Sequence, residues 1–330
     1  MKEKILIITH SEDHECIPRV TEALEAQGAE VLRFDTDRYP TELGLTTDYS
    51  NYVLHNYLQI GDVRHNLSEI TACWYRRLKI GHGIPQDLDP QLRRPSVEES
   101  RRSFFGILHS LDAFCLDPYF HVRRASVKQL QLKVAVELGL SIPKTCITNR
   151  PTEVRHFFQQ CPGGVVAKMQ TAFAVYQEGV ENVVFTNQIG EEMLDELDGL
   201  ELCPITFQEA IPKALELRVT IVGDQVYSAA IDSQRSERTR LDWRKDGVGL
   251  LDQWVDHPLP QELKDKLLAM MDRFELNYGA IDLILHPDGR YFFLEINPAG
   301  EFMWLEKTPG YPISEQLAKV LLGRAYRRNE

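Results

Sequence analysis

Two acidic side chains and an amide near the end of the chain carry its clearest chemistry. The stretch from Gly279 to Glu301 reads GAIDLILHPDGRYFFLEINPAGE, where apolar runs at Ala280 to Leu285 and Tyr291 to Ile296 flank His286-Pro287-Asp288-Gly289-Arg290. An Asp-Gly step between extended runs is a strong hairpin signal. A loop of two residues (Asp288, Gly289) or four (Pro287 to Arg290) places Asp282 opposite Glu295 and Ala280 opposite Asn297, whereas a three-residue turn would put the acids out of line. Asp282, Glu295 and Asn297 then share one face, because strand side chains alternate. Facing like charges destabilise a sheet unless something neutralises them. Two carboxylates and an amide oxygen suit a hard cation. Magnesium fits best, since it takes one or two carboxylates, keeps several waters and completes its shell with substrate phosphates. The plainer alternative is a hairpin whose acids face solvent. The apolar flanks and the abrupt end at Asn297-Pro298-Ala299-Gly300 favour the metal.

Groups suited to phosphate recur upstream. Gly163-Gly164-Val165-Val166-Ala167-Lys168 ends an apolar strand on a lysine, which either neutralises phosphate or shields the edge of its sheet. Glu216 to Ile231 reads as a hairpin turning at Gly223-Asp224, with Arg218 on an otherwise apolar strand. A buried arginine must be paired, and phosphate suits its planar fork. Ile205 to Ile211 is a strand in which Glu209 interrupts apolar neighbours. From Asp232 to Trp254 the pattern breaks into polar residues, including Gln234 to Arg240 and Asp242-Trp243-Arg244-Lys245, a segment able to close over a site. Gly190 to Gly199 reads as an acidic helix with Met193, Leu194 and Leu197 as its buried stripe. Its Glu191, Glu192, Asp195, Glu196 and Asp198 are a solvated face or a docking surface for a basic peptide.

Composition limits what these groups serve. At 330 residues, 43% hydrophobic and 26% charged, the chain has room for two or three domains with sizeable cores. No run of about 18 apolar residues crosses a membrane, and the four apolar residues Ile5 to Ile8 are too short for a signal peptide, which places the chain in the cytoplasm. A net charge of −12 argues against nucleic acid. The six cysteines form no CxxC pair, and most of them read as core residues. Arginine pairs at Arg76-Arg77, Arg93-Arg94, Arg101-Arg102 and Arg123-Arg124 either line an anionic cleft or are solvated surface, the latter for most of them. His10 and His14 lack a third ligand and read as loop residues.

The elements that must position these groups begin with a βαβ unit. Lys4 to Ile8 is a buried strand, Ile17 to Gln27 a helix ending at Gly28, and Val31 to Phe34 the next strand, with Ala72 to Tyr75 later in the same sheet. This describes a small parallel α/β domain without a GxGxxG fingerprint. Ser96 to Phe114, Lys128 to Leu138, Pro151 to Gln160, Pro260 to Phe274 and Ser314 to Leu322 have helical spacing, and Val183 to Thr186 is a further strand. Asp117-Pro118 is a candidate boundary.

In this order and spacing, Lys128, Lys168, Gln208-Glu209-Ala210-Ile211, Glu216-Leu217-Arg218 and Asp282 with Leu294-Glu295-Ile296-Asn297-Pro298 resemble the ATP-grasp ligases over Ser126 to Gly310. The whole chain is similar to the microviridin-type graspetide maturases, through Phe34 to Glu42 (FDTDRYPTE), Trp74-Tyr75-Arg76-Arg77 and Asn277 to Asp282. The resemblance implies an α/β (α+β) ATP-grasp fold with an N-terminal pre-ATP-grasp parallel domain at 1–118, a central subdomain at 119–204 and a C-terminal subdomain at 205–330. It implies that Lys128 and Lys168 hold ATP phosphates, that Glu209 and Ile211 meet adenine, and that Glu216 binds ribose. Arg218 would steady the transferred phosphoryl group, and Arg244 would hold an acyl phosphate. Asp282, Glu295 and Asn297 would bind two magnesium ions. The implied partner is a precursor peptide whose leader helix docks on Glu191, Glu192 and Asp195. Its acidic side chains would be activated as acyl phosphates and closed into rings by lysine, preferred here, or by serine or threonine. A homodimer is expected. Two other classes fit the same ATP contacts, a ligase adding a free amino acid and a catalytically silent peptide-binding module.

Overall fold

The computed structural model describes residues 2–50, 52–170, 174–177, 180–183, 186–235 and 249–328, with the backbone alone at 174–177 and 180–183. Strand β1 (Lys4–Thr9) is buried along almost its whole length, as its Ile and Leu run demands. It pairs in parallel with β2 (Glu30–Asp35) and with β6 (Ala72–Tyr75), which in turn pairs with the short β7 (Phe114–Cys115). Between β2 and β6 the chain forms a separate antiparallel sheet, β3 (Leu43–Ser50), β4 (Val53–Ile60) and β5 (Val63–Asn66), which the sequence pattern leaves unread.

Alternation along β1 gives the parallel sheet two apolar faces. Ile5 and Ile7 pack with Ile17, Val20 and Leu24 of α1 (Cys16–Ala26) and with Leu317 and Leu321 of α8 (Ile313–Leu321). Leu6 and Ile8 pack with Phe104 and Ile107 of α2 (Pro90–His109). The expected helix from Ser96 to Phe114 is displaced towards the N-terminus. Pro95 reads as a boundary, yet the helix runs through it and begins at Pro90, where Asp89 accepts a hydrogen bond from Gln91 N at 2.8 Å.

Asp117, expected at a boundary, is buried. Its carboxylate accepts from Asn277 N at 2.6 Å and from Tyr278 N at 3.3 Å, tying this segment to a distant strand. Burial pushes its pKa up from 3.8 to about 7, against those two donors and Arg328. Between pH about 4 and 7 the folded chain therefore keeps a proton that the unfolded chain has lost, and this contribution to stability declines as pH rises. Asp117→Asn removes the titration. The stability of wild type minus that of the variant should fall across this window by at most about 1.4 kcal/mol per pH unit, measured by urea denaturation at pH 5, 6 and 7.

Helices α3 (Tyr119–Ala125) and α4 (Lys128–Glu137) lead to an antiparallel sheet ordered β12-β9-β13-β8. Its strands are β8 (Thr145–Thr148), β9 (Val165–Lys168), β12 (Asn187–Ile189) and β13 (Ile205–Glu209), covered by Val154 and Phe157 of α5 (Pro151–Gln159). A hairpin of β10 (Ala174–Gln177) and β11 (Val180–Val183) lies between β9 and β12 in the chain. The expected strand at Val183 to Thr186 meets β11 only at Val183, and Val184 and Phe185 lie outside the described residues. The expected acidic helix at Gly190 to Gly199 is instead a 3-10 helix over Glu191–Asp195 with no buried residue. Of the expected stripe, Leu194 and Leu197 are half-buried and pack against the core of this sheet, whereas Met193 is 42% exposed. Adjacent acidic side chains repel along a helix, and glycine at each end leaves little to extend it.

The C-terminal sheet is antiparallel, ordered β16-β15-β14-β17-β18. It comprises β14 (Leu215–Val222), β15 (Gln225–Ile231), β16 (Val255–Asp256), β17 (Tyr278–Leu285) and β18 (Tyr291–Asn297). Leu217, Val219, Ile221, Ile281, Leu283, Phe293 and Ile296 face a core completed by Met270, Met271 and Phe274 of α6 (Gln261–Phe274) and by Val134 and Ala135 of α4. Helix α7 (Met303–Lys307) follows β18. Among the described residues no helix is long and apolar enough to cross a membrane.

Candidate active site

The β17–β18 hairpin brings the two acids together by a different route from the one its turn suggests. His286 N donates to Arg290 O at 2.8 Å and Gly289 N to His286 O at 2.9 Å, so the loop is the three residues Pro287-Asp288-Gly289. Gly289 has φ +90°, a conformation glycine adopts without strain. From the turn outward, Leu285 pairs with Tyr291, Ile284 with Phe292 and Leu283 with Phe293. That register would leave Asp282 opposite Leu294. A bulge at this point passes over Leu294, so Asp282 pairs with Glu295 and Ala280 with Asn297. The bulge also corrects the facing of Glu295. Phe293 and Glu295 are two apart and would share the apolar core face in a regular strand, but the extra residue turns Glu295 to the face of Asp282 and leaves Ile296 in the core.

Neighbouring elements bring cations to this face. On β14, Arg218 pairs with Asp282 in register, and its guanidinium Nη1 lies 3.0 Å from Asp282 Oδ1. Arg218 is only 8% exposed and stands 5.3 Å from the centre of the Trp304 ring, while its Nε has no hydrogen-bond partner among the described residues. Lys128, the first residue of α4, donates from Nζ to Glu295 Oε2 at 2.5 Å. One turn further along the same helix, the buried Gln131 holds β18 in place. Its Oε1 accepts from Ile296 N at 3.1 Å and its Nε2 donates to Ile296 O at 2.8 Å. Sequence reasoning passed over Gln131, although a glutamine on the inward face of a helix is a signal in itself. Gln131→Leu leaves both Ile296 backbone groups buried without their partner. It should lower stability by about 1–3 kcal/mol and impair ligation beyond that loss, as seen by comparing urea midpoints with turnover of the folded fraction.

The remaining sequence candidates lie on both sides of the β13–β14 crossing. Lys168 ends β9 and donates to Gln208 Oε1 at 2.8 Å, and Gln208 in turn donates to Thr145 Oγ1 at 2.9 Å. Glu209 ends β13 and accepts from Lys144 N at 3.3 Å. Ile211 follows in the link and is half-buried. Glu216 faces the same side of β14 as Arg218 and accepts from Lys213 Nζ at 2.9 Å, both side chains being largely buried. Lys213 was not foreseen, since a lone lysine between strands gives no pattern. Asn297 is exposed, with Oδ1 accepting from Ala299 N at 3.0 Å. Glu191, Glu192 and Asp195 are exposed on the central sheet's 3-10 helix. Arg244 lies outside the described residues.

Residues 4–123 match the MvdD pre-ATP grasp domain. A Chryseobacterium gregarium RiPP-associated ATP-grasp ligase, solved with ADP and with a leader and core peptide, is 44% identical over 99% of each chain, with a TM-score of 0.95. The chain belongs to the RiPP-associated ATP-grasp ligases, enzymes acting on ribosomally made peptides. It is an ATP-dependent ligase with a pre-ATP-grasp domain preceding the ATP-grasp fold. The macrocyclase MdnC from Microcystis aeruginosa MRC, solved with its precursor peptide MdnA, is 46% identical over 97% of this chain and 99% of that one, with a TM-score of 0.88. A probable alpha-L-glutamate ligase of Vibrio atlanticus is 21% identical over 215 residues, 64% of this chain and 68% of that protein. Within this ligase family, the face bearing Asp282, Glu295, Lys128 and Arg218 is the candidate catalytic surface.

Proposed function

We propose that this ligase closes macrocycles in a ribosomally made precursor peptide, joining Asp or Glu side chains to a lysine amine (ω-amide) or to a Ser or Thr hydroxyl (ω-ester). The carrying observation is Arg218, a buried guanidinium beside Asp282 whose Nε lacks a hydrogen-bond partner among the described residues. Such a donor suits an anionic oxygen, as phosphate or acyl phosphate would supply. Lys128 and Lys168 are the further phosphate-binding cations, with Glu209, Ile211 and Glu216 around adenine and ribose. Asp282, Glu295 and Asn297 present oxygens fit for two magnesium ions, which when bound would offset the charge of the phosphates.

A carboxylate is a poor electrophile, so its oxygen first attacks the γ-phosphorus of ATP, releasing ADP and leaving an acyl phosphate. The fork of Arg218 would hold the transferred phosphoryl group in line. The amine or hydroxyl of the same peptide then bonds to the acyl carbon, phosphate departs, and the nucleophile's proton passes to solvent. Arg244 is the proposed holder of the acyl phosphate. The microviridin-type reading rests on MdnC and the Chryseobacterium ligase, both solved with precursor-derived peptides. Docking of the leader through an arginine would use the exposed Glu191, Glu192 and Asp195.

Precursor peptide treated with enzyme, ATP and magnesium should lose one water per ring, and fragmentation identifies the residues joined. ADP release should require the leader-bearing peptide. Stimulation by free amino acids in place of that peptide would favour the amino-acid ligase and refute the macrocyclase.

A further inference from the structure

Arg76, in one of the arginine pairs read as either cleft lining or solvated surface, is buried between the N-terminal sheet and the loop that follows β18. Its side chain is 1% exposed. Nη1 donates to both carboxylate oxygens of Asp13, at 2.8 and 3.0 Å, and Nη2 donates to Glu301 Oε2 at 2.7 Å and Gly300 O at 3.4 Å. Asp13 is itself held by Thr9 Oγ1 at 2.6 Å, at the end of β1. The carbonyl of Gly300 also accepts from Tyr278 OH at 2.7 Å. A Cβ on Gly300 would lie 2.5 Å from Ala280 Cβ, so the loop sits directly against β17 beside Asp282. Its other end is Asn297, bonded through Oδ1 to Ala299 N and through its carbonyl to Gly300 N at 3.3 Å. The five positions from Asn297 to Glu301 thus form one short turn, fixed at the far end by residues about 225 positions earlier in the chain.

Energetics separates orientation from stability here. Burying a guanidinium between two carboxylates costs desolvation that their attraction only partly offsets, so such clusters stabilise little compared with apolar packing. They do impose one geometry. Asp13, Cys16 and Glu301 also lie within reach of a shared cation, but Arg76 already supplies positive charge to both carboxylates, and burial raises the Cys16 thiol pKa far above neutrality. The cluster is therefore an ion-paired strut.

We infer that Arg76 is a positioning residue that sets the Asn297 to Glu301 turn through Glu301 and Gly300, and with it the third oxygen ligand beside Asp282 and Glu295. This rests on the metal reading above. The test uses the full chain, with ADP-dependent Mn²⁺ binding followed by electron paramagnetic resonance and unfolding followed by temperature. Glu301→Gln keeps the side chain's size, and Arg76→Lys keeps charge but loses the fork. Both should weaken Mn²⁺ binding by about 10- to 100-fold, the range for groups that orient metal ligands. Turnover should fall while KM for the precursor peptide stays within twofold. If Arg76→Lys fails to fold, Glu301→Gln decides, since that side chain reaches the surface. Folded variants that bind Mn²⁺ within twofold of wild type overturn the strut, provided Glu295→Gln has lost binding. If Glu295→Gln also binds normally, the metal reading itself fails.

Discussion

Glu295→Gln should reduce peptide-dependent ADP release on the order of 10²–10³-fold while the chain stays folded. The substitution preserves shape and removes only the charge. Glu295 is partly open to solvent, its side chain being 29% exposed, so an amide there strands no buried group. Lys128 Nζ now bonds Glu295 Oε2 and can still donate to an amide oxygen. What the variant loses is one of the two facing carboxylates, and with it half the charge available to a cation opposite Asp282. Two carboxylates with cations close by suit a magnesium nucleotide, whereas one carboxylate beside Lys128 and Arg218 tips the face towards excess positive charge. Raising magnesium should therefore restore part of the lost rate. Thermal unfolding within about 3 °C of wild type, a shift expected for less than about 1 kcal/mol in a chain of this size, would show that the defect is chemical. A folded variant turning over within threefold of wild type would remove Glu295 from the site.

How far the sequence discloses this site depends on whether local pattern or distant packing decides each residue. The β17–β18 hairpin was legible because two apolar runs and an Asp-Gly step fix its place within a few residues. Its register was not, although the facing acids were foreseen. The actual loop is the three-residue one expected to break the pairing, and the bulge at Leu294 repairs it. Leucine looks like its apolar neighbours, so nothing marks it as the extra residue. The one available clue was parity, since Phe293 and Glu295 cannot both suit the face that a regular strand would give them. Short elements fared worse. Glycine boundaries and the spacing of Met193, Leu194 and Leu197 read as a helix from Gly190 to Gly199, but a 3-10 helix over Glu191–Asp195 with no buried residue forms instead. Arg76 and Gln131 were hidden for a different reason. Their partners, Glu301 and Ile296, lie 225 and 165 positions away, and polar type alone reads as surface.

Arg218 is where the loss should be larger. Arg218→Lys is expected to lower kcat on the order of 10³-fold, and Arg218→Met at least as much, because stabilising charge on a transferring phosphoryl group is the main work such an arginine performs. Lysine keeps the charge and loses the fork. The native guanidinium is oriented by two neighbours, Asp282 Oδ1 at 3.0 Å on one side and the Trp304 ring at 5.3 Å on another, so its Nε, without a partner among the described residues, is directed before any ligand arrives. An ammonium on a flexible stem has no plane to stack and no second donor at fixed spacing. Stability should fall only modestly in Arg218→Met: Asp282 loses its partner opposite Glu295, but its carboxylate remains partly solvated and the buried cation is exchanged for an apolar side chain. A loss of activity of about 10³-fold in a variant that stays folded is more than a packing role produces. The affinity for ADP should stay within a few-fold of wild type, because a contact made chiefly to the transferring group acts on kcat before it acts on binding. Single-turnover formation of the cyclised peptide, measured alongside ADP binding, checks both. A lysine variant within tenfold of wild type would show that charge alone suffices and that the planar fork is not what this strand supplies.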